Sequence, residues 1–139
     1  MSELPTDPAL QYAALPMRRV NGRLEVMLIT SRETRRWVVP KGWPMEGLSA
    51  AEAAAREAYE EAGVEGTVAT SPLGHYHYDK RLKNGGRRRC RVDVFALEIS
   101  EELDTWPEAG QRGRRWFDPA GAALAVEEPD LAELLRKLS

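Results

Sequence analysis

The sequence predicts a mixed α/β or α+β domain, in which short strands surround a central helix and a second helix closes the chain. Segments rich in β-branched and apolar residues alternate with Gly, Asn and Pro turn signals, as is typical of strands. An alanine-rich stretch near residues 49–62 carries helix start and stop signals. A leucine stripe at helical spacing follows Pro129. Strands around a central helix, ending in a helix, indicate this fold class.

The first part of the chain is predicted to form strands joined by a hairpin turn. Asn-Gly between two apolar segments is the strongest short-range signal of such a turn. The predicted elements are, in order, strand 11–16, turn 21–22, strand 24–30, a charged loop 32–36 and a short buried strand 37–39 closed by Pro40.

The central helix has clear boundaries. A loop punctuated by Gly and Pro, residues 41–48, leads into Ser49, and Glu52 three residues later completes a capping box. Gly63 is the matching C-terminal stop. We therefore predict a helix over residues 49–62.

The second half is predicted to alternate strands with turns before a final amphipathic helix. The predicted strands lie at residues 67–69, 74–78, 90–99 and 115–117, with a turn at 84–86. Pro129 and Asp130 open the final helix, whose apolar stripe consists of Leu131, Leu134, Leu135 and Leu138. This stripe could pack internally or across a homodimer.

Composition is that of a globular protein of one domain. The chain has 139 residues, 42% hydrophobic and 30% charged, with a net charge of -2, which disfavours a general nucleic-acid binder. Its one cysteine, Cys90, allows no intramolecular disulfide and fits a reducing cytosol. No stretch approaches the roughly 18 apolar residues of a membrane span, and residues 1–8 lack the apolar run of a signal peptide. We expect a cytoplasmic domain at residues 11–139 behind a flexible tail, residues 1–10, with no membrane partner.

The central helix carries an acidic face. Glu57, Glu60 and Glu61 fall at i, i+3 and i+4, and such like-charge pairs each disfavour an isolated helix by roughly 0.2–0.5 kcal/mol. A cation would offset this repulsion, and hard oxygen ligands suit Mg²⁺ or Mn²⁺. Arg56, at i, i+4 to Glu60, can restrain that glutamate. The alternative is a solvated acidic face, which is common on helices.

Residues 42–64 resemble the Nudix box, the loop-helix signature of hydrolases that cleave a nucleoside diphosphate linked to another moiety. One position departs from the pattern: Leu48 occupies the place of its first glutamate. The positions that match are Gly42, Arg56, Glu57, Ala58, Glu60, Glu61, Gly63 and Val64.

The resemblance implies a Nudix-type α/β/α sandwich with a mixed sheet, Mg²⁺ dependence (or Mn²⁺), and attack of water on a phosphorus of a pyrophosphate link. It implies that Glu57, Glu60 and Glu61 bind the metal, joined by the carbonyl of Gly42. Glu61 or a loop glutamate would assist deprotonation of the water. We group Arg56 with the three glutamates as catalytic.

Basic clusters indicate a polyanionic small-molecule substrate. One lies on the predicted hairpin at residues 80–91 and another before the box, and arginine matches phosphate oxygens bidentately. The candidate substrate-binding residues are Arg32, Arg36, Lys41, Arg89 and Arg91. A solvated hairpin tip is the alternative for residues 83–88. Nucleic acid ranks below small polyphosphates, since no aromatic stacking pattern accompanies these arginines.

Residues 37–40 and 57–64, with Trp106 and residues 113–117 further along, are similar to the diadenosine and diphosphoinositol polyphosphate hydrolases. The expected activity is therefore Mg²⁺-dependent hydrolysis of dinucleoside polyphosphates. Inositol pyrophosphates and nucleoside triphosphates are alternative substrates, and a catalytically silent nucleotide- or RNA-binding module is the alternative class. His75 and His77 lack the further ligands of a zinc site and are taken as substrate contacts or a plain strand face.

Overall fold

The computed structural model describes residues 7–139, which form eight strands and three helices. The strands are β1 (Ala9–Val20), β2 (Arg23–Thr30), β3 (Trp37–Val38), β4 (Lys41–Gly42), β5 (Val64–Val68), β6 (Gly74–Arg81), β7 (Arg87–Glu102) and β8 (Arg114–Phe117). The helices are α1 (Ala50–Ala62), α2 (Pro119–Ala125) and α3 (Pro129–Arg136).

The β1–β2 hairpin forms where the Asn-Gly signal placed it. Asn21 and Gly22 have φ angles of 52° and 78°, the left-handed pair that a tight hairpin turn requires. Strand β1 is longer than predicted at both ends, and its first two residues lie within the segment predicted as a tail. Residues 1–6 of that predicted tail lie outside the described residues.

The sheet is mixed because one central pair is parallel. Its order is β3-β2-β1-β7-β5, with β4 on β1, β6 on β7 and β8 on β2. Strands β1 and β7 run parallel from Ala9 beside Cys90 to Met17 beside Glu98, and all other pairs are antiparallel. The extra residues of the two strands pair with several neighbours: the start of β1 pairs with β7 and its end with β2, while the two ends of β7 pair with β6 and β5.

Helix α1 begins and ends at the predicted signals. The Ser49 side chain accepts from the backbone N–H of Glu52, and the Glu52 side chain accepts from the backbone N–H of Ser49, so the capping box is complete. Gly63 ends the helix in the left-handed conformation, with a φ of 67°. The Trp106 ring packs against the Cα of Gly63, so any side chain there would collide with it. Glycine is required here for its conformation and for this close contact.

Two apolar layers enclose the sheet. The small residues of α1, among them Ala54 and Ala58, pack with Ile29 and Phe95 on one face. Helices α2 and α3 cover the other face, where Leu131 packs with Leu28. The sheet therefore lies between helices, and the expected α/β/α sandwich is confirmed.

Several elements differ from the sequence prediction. The sequence prediction lacks helix α2, although Asp118 caps it through the backbone N–H of Gly121 and a proline follows that cap. Strand β4 lies in a predicted loop, because two residues carry no periodicity and only pairing with β1 defines them as a strand. Strand β5 begins directly after Gly63, earlier than predicted, because β7 continues far enough to pair with it.

The leucine stripe of α3 faces this chain's own sheet. Leu131 and Leu135 are fully buried in the core, and Leu134 and Leu138 pack against it. Of the two arrangements open from sequence, the structure shows the internal one. None of the helices in residues 7–139 combines the length and the apolar character that crossing a bilayer requires.

Candidate active site

Three glutamates, Glu57, Glu60 and Glu61, lie in the C-terminal half of α1. Glu61 is 9% exposed, although its residue type is normally at the surface. One carboxylate oxygen of Glu57 and one of Glu60, the Oε2 atom in each, are buried without a hydrogen-bond partner. Buried acceptors are nearly always satisfied in proteins, so these two oxygens indicate a partner that is not part of the chain.

Gly42 lies directly against the Glu57 carboxylate. A Cβ atom built on Gly42 would overlap the carboxyl group of Glu57. Strand β4 is held in place by its pairing with Tyr12 and Ala13 of β1. The contact between loop and helix therefore depends on glycine at this position.

The neighbouring residue, Lys41, contacts the same helix. Its backbone N–H donates to Oε1 of Glu61 over 3.3 Å. Its ammonium lies 5.1 Å from the centre of the Tyr78 ring. Burial lowers the pKa of Lys41 to about 8, although Glu61 and Glu128 act in the opposite direction. Lys41 therefore provides a weakly hydrated cation beside the acidic face.

Burial also perturbs two of the glutamates. Loss of water raises the pKa of Glu57 to about 7, and repulsion from Glu61, Glu60 and Glu108 adds to the effect. Burial raises the pKa of Glu61 to about 7 despite the attraction of Arg112 and Lys41. Carboxyls with a pKa near neutrality are typical of functional sites, where they can exchange a proton or gain from a bound cation.

Two residues that contact this cluster were not identified from the sequence. Arg112 lies between Glu61 and Glu108: its Nε donates to Glu108 Oε1 over 2.9 Å, and its Nη2 lies 3.8 Å from Glu61 Oε1. The backbone N–H of Glu108 donates to the carbonyl of Glu60, which ties this loop to α1. Glu108 and Arg112 are an i, i+4 pair of opposite charge, but that pattern alone does not indicate a site.

Arg56 does not restrain Glu60, so this part of the sequence interpretation is wrong. Arg56 is exposed, and its guanidinium lies 6.0 Å from the centre of the Tyr59 ring. Among the described residues it forms no ion pair with Glu60 or Glu52. The helix directs Arg56 toward solvent, whereas Glu61 at the end of the acidic face is directed inward. Arg112, and not Arg56, contacts Glu61. A catalytic role for Arg56 stays a prediction.

The candidate substrate-binding residues occupy several places. Arg36 and Lys41 lie near one another, and the Nη1 of Arg36 donates to Glu128 over 2.8 Å. Arg32 donates to Gln111 in the loop that carries Arg112. Arg89 and Arg91, on β7, pair with Asp79 and Asp93. Their role in substrate binding stays a prediction.

Leu48 is partly exposed and lies apart from the acidic end of α1. With Glu52, Arg56 and Tyr59 it lines an open surface cavity of about 680 Å³. The departure from the box pattern therefore changes the outer side of the helix and leaves the contact between Gly42 and Glu57 in place.

Other aromatic and histidine side chains have structural partners. Trp106 donates its indole N–H to the carbonyl of Glu61, and Arg114 stacks on its ring at 4.0 Å. Arg114 also donates to the carbonyls of Ala62 and Gly63, where it complements the negative end of the α1 dipole. His77 lies 3.6 Å from Asp130 at the start of α3.

The residues at the acidic end of α1 fit a divalent cation by their chemistry. Carboxylate oxygens are the ligands that Mg²⁺ prefers, and two of them are buried without partners. Within residues 7–139, no group of three or more His, Cys, Asp or Glu side chains is already gathered into a complete set of metal ligands. Carboxylates of like charge repel one another when no cation lies between them. The argument that these residues suit a divalent cation therefore rests on the two unpartnered oxygens and not on a complete set of ligands.

Comparison with known proteins gives a family match over nearly all described residues. The model of the NUDIX domain family matches residues 9–138. "Nudix hydrolase 13, mitochondrial" from Arabidopsis thaliana is 39% identical over 103 residues, which cover 69% of this chain and 50% of the relative. "Diphosphoinositol polyphosphate phosphohydrolase 3-alpha" from Mus musculus is 36% identical over 119 residues, covering 82% of this chain and 68% of that protein. The chain thus spans about half the length of the plant relative.

Solved structures show the same fold. The Ap4A hydrolase of C. elegans, in a binary complex, superposes with a TM-score of 0.68 at 22% identity, covering 93% of each chain. A NUDIX hydrolase from Nitrosomonas europaea superposes with a TM-score of 0.70 at 17% identity, covering 94% of this chain and 87% of that one. At these identities the likeness establishes the fold alone.

Proposed function

The chain belongs to the Nudix domain family, a family of hydrolases, and we propose that it is a Mg²⁺-dependent pyrophosphohydrolase that cleaves a phosphoanhydride bond in a polyphosphorylated substrate. The observation that carries the proposal is the pair of buried, unpartnered carboxylate oxygens on Glu57 and Glu60. They lie on a helix that is capped at both ends and packed against the sheet. A rigid element of this kind is suited to holding a reactive group in place.

Glu57, Glu60 and Glu61 would hold the cation, and the carbonyl of Gly42 is a further candidate ligand. When bound, Mg²⁺ would offset the negative charge of the phosphates and lower the pKa of an attacking water. Gly42 contributes by leaving room for the Glu57 carboxylate, which any other side chain would displace.

Proton transfer would fall to Glu61 or to Glu108. Burial raises the pKa of Glu61 to about 7 in the metal-free protein, and a bound cation would lower that pKa, which leaves the carboxylate free to accept a proton. Glu108 is the loop glutamate that the structure brings to the helix, through its backbone bond to Glu60. Arg112 contacts both carboxylates and so fixes their orientation.

Lys41 and Arg36 would bind the phosphate chain. Lys41 is half-buried next to the acidic face, where a cation exerts an electrostatic effect on phosphate oxygens. Dinucleoside polyphosphates are the leading candidate substrates. Inositol pyrophosphates are the second candidate substrates, since the name of the mouse relative indicates them for that protein, and nucleoside triphosphates are a further alternative.

The plant relative is named as mitochondrial, so a cytoplasmic location of this chain stays a prediction.

A hydrolysis panel tests the proposal. Purified protein with Mg²⁺ is incubated with diadenosine polyphosphates, nucleoside triphosphates, nucleotide sugars and an inositol pyrophosphate, and the products are separated by chromatography. We expect cleavage of one class, with a rate that falls at least about 100-fold in Glu61→Gln. Glu65→Gln, an exposed glutamate on β5, is the matched control and should keep the wild-type rate.

Two results would contradict the proposal. An unchanged rate in Glu61→Gln would rule out the acidic face as the reaction centre. Absence of turnover with Mg²⁺ and with Mn²⁺, together with retained nucleotide or RNA binding, would favour a silent recognition module. Leu48 is the one feature of the box that agrees with that second function.

A further inference from the structure

A third carboxylate in the described residues has a buried, unpartnered oxygen, and it lies outside α1. Glu128 is 9% exposed; its Oε2 accepts from Arg36 Nη1 over 2.8 Å, while its Oε1 is buried without a partner. A buried carboxylate with only one of its two oxygens hydrogen-bonded is costly, so a further donor is expected.

Glu128 is also the N-cap residue of α3, but glutamate is not among the residues that usually cap a helix, and its side chain makes no capping hydrogen bond. Its carboxylate is directed toward Arg36 instead.

The surroundings of Glu128 connect it to the proposed reaction centre. Lys41 is attracted by both Glu61 and Glu128, and its backbone bonds to Glu61. Tyr78 flanks Lys41 and donates its hydroxyl to Gln11 over 2.6 Å. The charges of Glu61 and Glu128 thus both act on Lys41, which lies beside the Tyr78 ring.

We propose that Oε1 of Glu128 accepts a hydrogen bond from an uncharged donor, a hydroxyl or an amine, on the part of the substrate that lies beyond the phosphates. This inference rests on the proposed function and narrows its substrate class. A carboxylate repels phosphate, so it cannot serve the phosphate chain itself. Arg36 already neutralises its charge, so a cationic ligand is not required.

An acceptor of this kind favours nucleosides over fully phosphorylated inositols. A nucleoside has ribose hydroxyls and, in adenine, an exocyclic amine, all of which are donors. An inositol pyrophosphate whose ring positions are all phosphorylated has no such group. Glu128 would therefore favour a dinucleoside polyphosphate and discriminate against the inositol compound.

The test uses Glu128→Gln with Glu127→Gln as its control. Arg36 requires an acceptor, so the amide oxygen of the substituted side chain would face Arg36. The amide NH₂ would then take the place of Oε1, where it would repel a donor group of the substrate. Glu127 is the other partner of Arg36, at 3.4 Å, but its side chain is 67% exposed. Both variants remove one negative charge next to Arg36, and only Glu128→Gln removes the buried acceptor.

The readout is binding, measured by calorimetry with Mg²⁺ present, and it does not require turnover. A methylene-bridged diadenosine tetraphosphate is the donor-bearing probe, and inorganic tripolyphosphate is the donor-free probe. We expect Glu128→Gln to weaken binding of the dinucleotide about 10- to 100-fold and to leave tripolyphosphate within about twofold. Glu127→Gln should change binding of the two probes by the same factor, because it removes a charge beside Arg36 and leaves the buried acceptor in place.

Further arms separate the two donors. If Glu128 recognises the amine, wild-type protein prefers the adenosine compound to its inosine counterpart, and Glu128→Gln removes that preference. If it recognises a hydroxyl, the preference lost is for ribose over deoxyribose.

Equal weakening of both probes would overturn the inference, because Glu128 would then act only by positioning Arg36. Wild-type protein that binds tripolyphosphate but not the dinucleotide would overturn it as well. The hydrolysis panel fails or succeeds independently of these binding results.

Discussion

At the scale of single residues, the site depends on a contact between two residues far apart in the chain. Gly42 lies on a two-residue strand and Glu57 lies on the central helix. The Glu57 carboxylate occupies the space that a side chain at position 42 would fill. The contact places the backbone of the strand directly against the carboxylate on the helix. A change as small as one methyl group should therefore separate them.

Gly42→Ala should lower the hydrolysis rate at least about 100-fold, because the new Cβ displaces the Glu57 carboxylate. Gly110→Ala is the matched control: nothing lies within 4 Å of a Cβ at that position, and the rate should not change. Steady-state kinetics and circular dichroism on both variants would check this. Wild-type kinetics in Gly42→Ala would mean that the position of Glu57 is irrelevant to the reaction.

At the scale of elements, the candidate site is built from two parts of the chain, helix α1 and the loop between β7 and β8. Helix α1 supplies carboxylates, and the loop supplies Arg112, whose side chain is 11% exposed and contacts Glu61 and Glu108. The loop is also tied to the helix by the backbone bond from Glu108 to Glu60. Helix and loop thus form one unit, joined by that backbone hydrogen bond and by the ion pair between Arg112 and Glu61.

Arg112→Met should lower the free energy of unfolding by about 2–4 kcal/mol, because two carboxylates lose a mostly buried cationic partner. Arg56→Met should change it by less than about 0.5 kcal/mol, since Arg56 is exposed and forms no ion pair among residues 7–139. Urea unfolding of both variants in the presence of EDTA would measure the difference. Equal effects would show that Arg112 does not stabilise the site.

At the scale of the whole molecule, the acidic site reduces the stability of the metal-free fold. Burial raises the pKa of Glu57 and of Glu61 to about 7, from an ordinary value near 4.5. Each carboxyl therefore binds its proton more tightly in the folded state than in the unfolded one. The corresponding stability is fully present below about pH 4.5 and is lost as the pH rises to about 7.

We expect the free energy of unfolding of metal-free protein to fall more steeply between pH 5 and 7.5 in wild type than in Glu61→Gln, by on the order of 2 kcal/mol. Mg²⁺ at about 100 times its Kd should add about 2.7 kcal/mol to wild type. That gain should shrink at acid pH, since protons compete for the same oxygens. Denaturant titrations with EDTA or with Mg²⁺ would measure both effects. Parallel pH profiles for the two proteins would contradict the raised pKa of Glu61.

The central helix, the first hairpin turn and the acidic character of the candidate site could be predicted from sequence because local rules determine them. The capping box at Ser49, the stop at Gly63 and the Asn-Gly turn each act within a few residues of chain, and the structure confirms all three. Helical spacing likewise places Glu57, Glu60 and Glu61 on one face. Helix α2 was missed although its local signals were present.

The tertiary structure alone decided which residues complete that face. Sequence spacing favoured Arg56 as the partner of a glutamate, but packing of α1 on the sheet turned Arg56 outward and brought Arg112 to the carboxylates. It also brought Gly42 against Glu57 and Arg36 against Glu128. These contacts join distant parts of the chain, and they follow from sheet order and register, which no local pattern specifies.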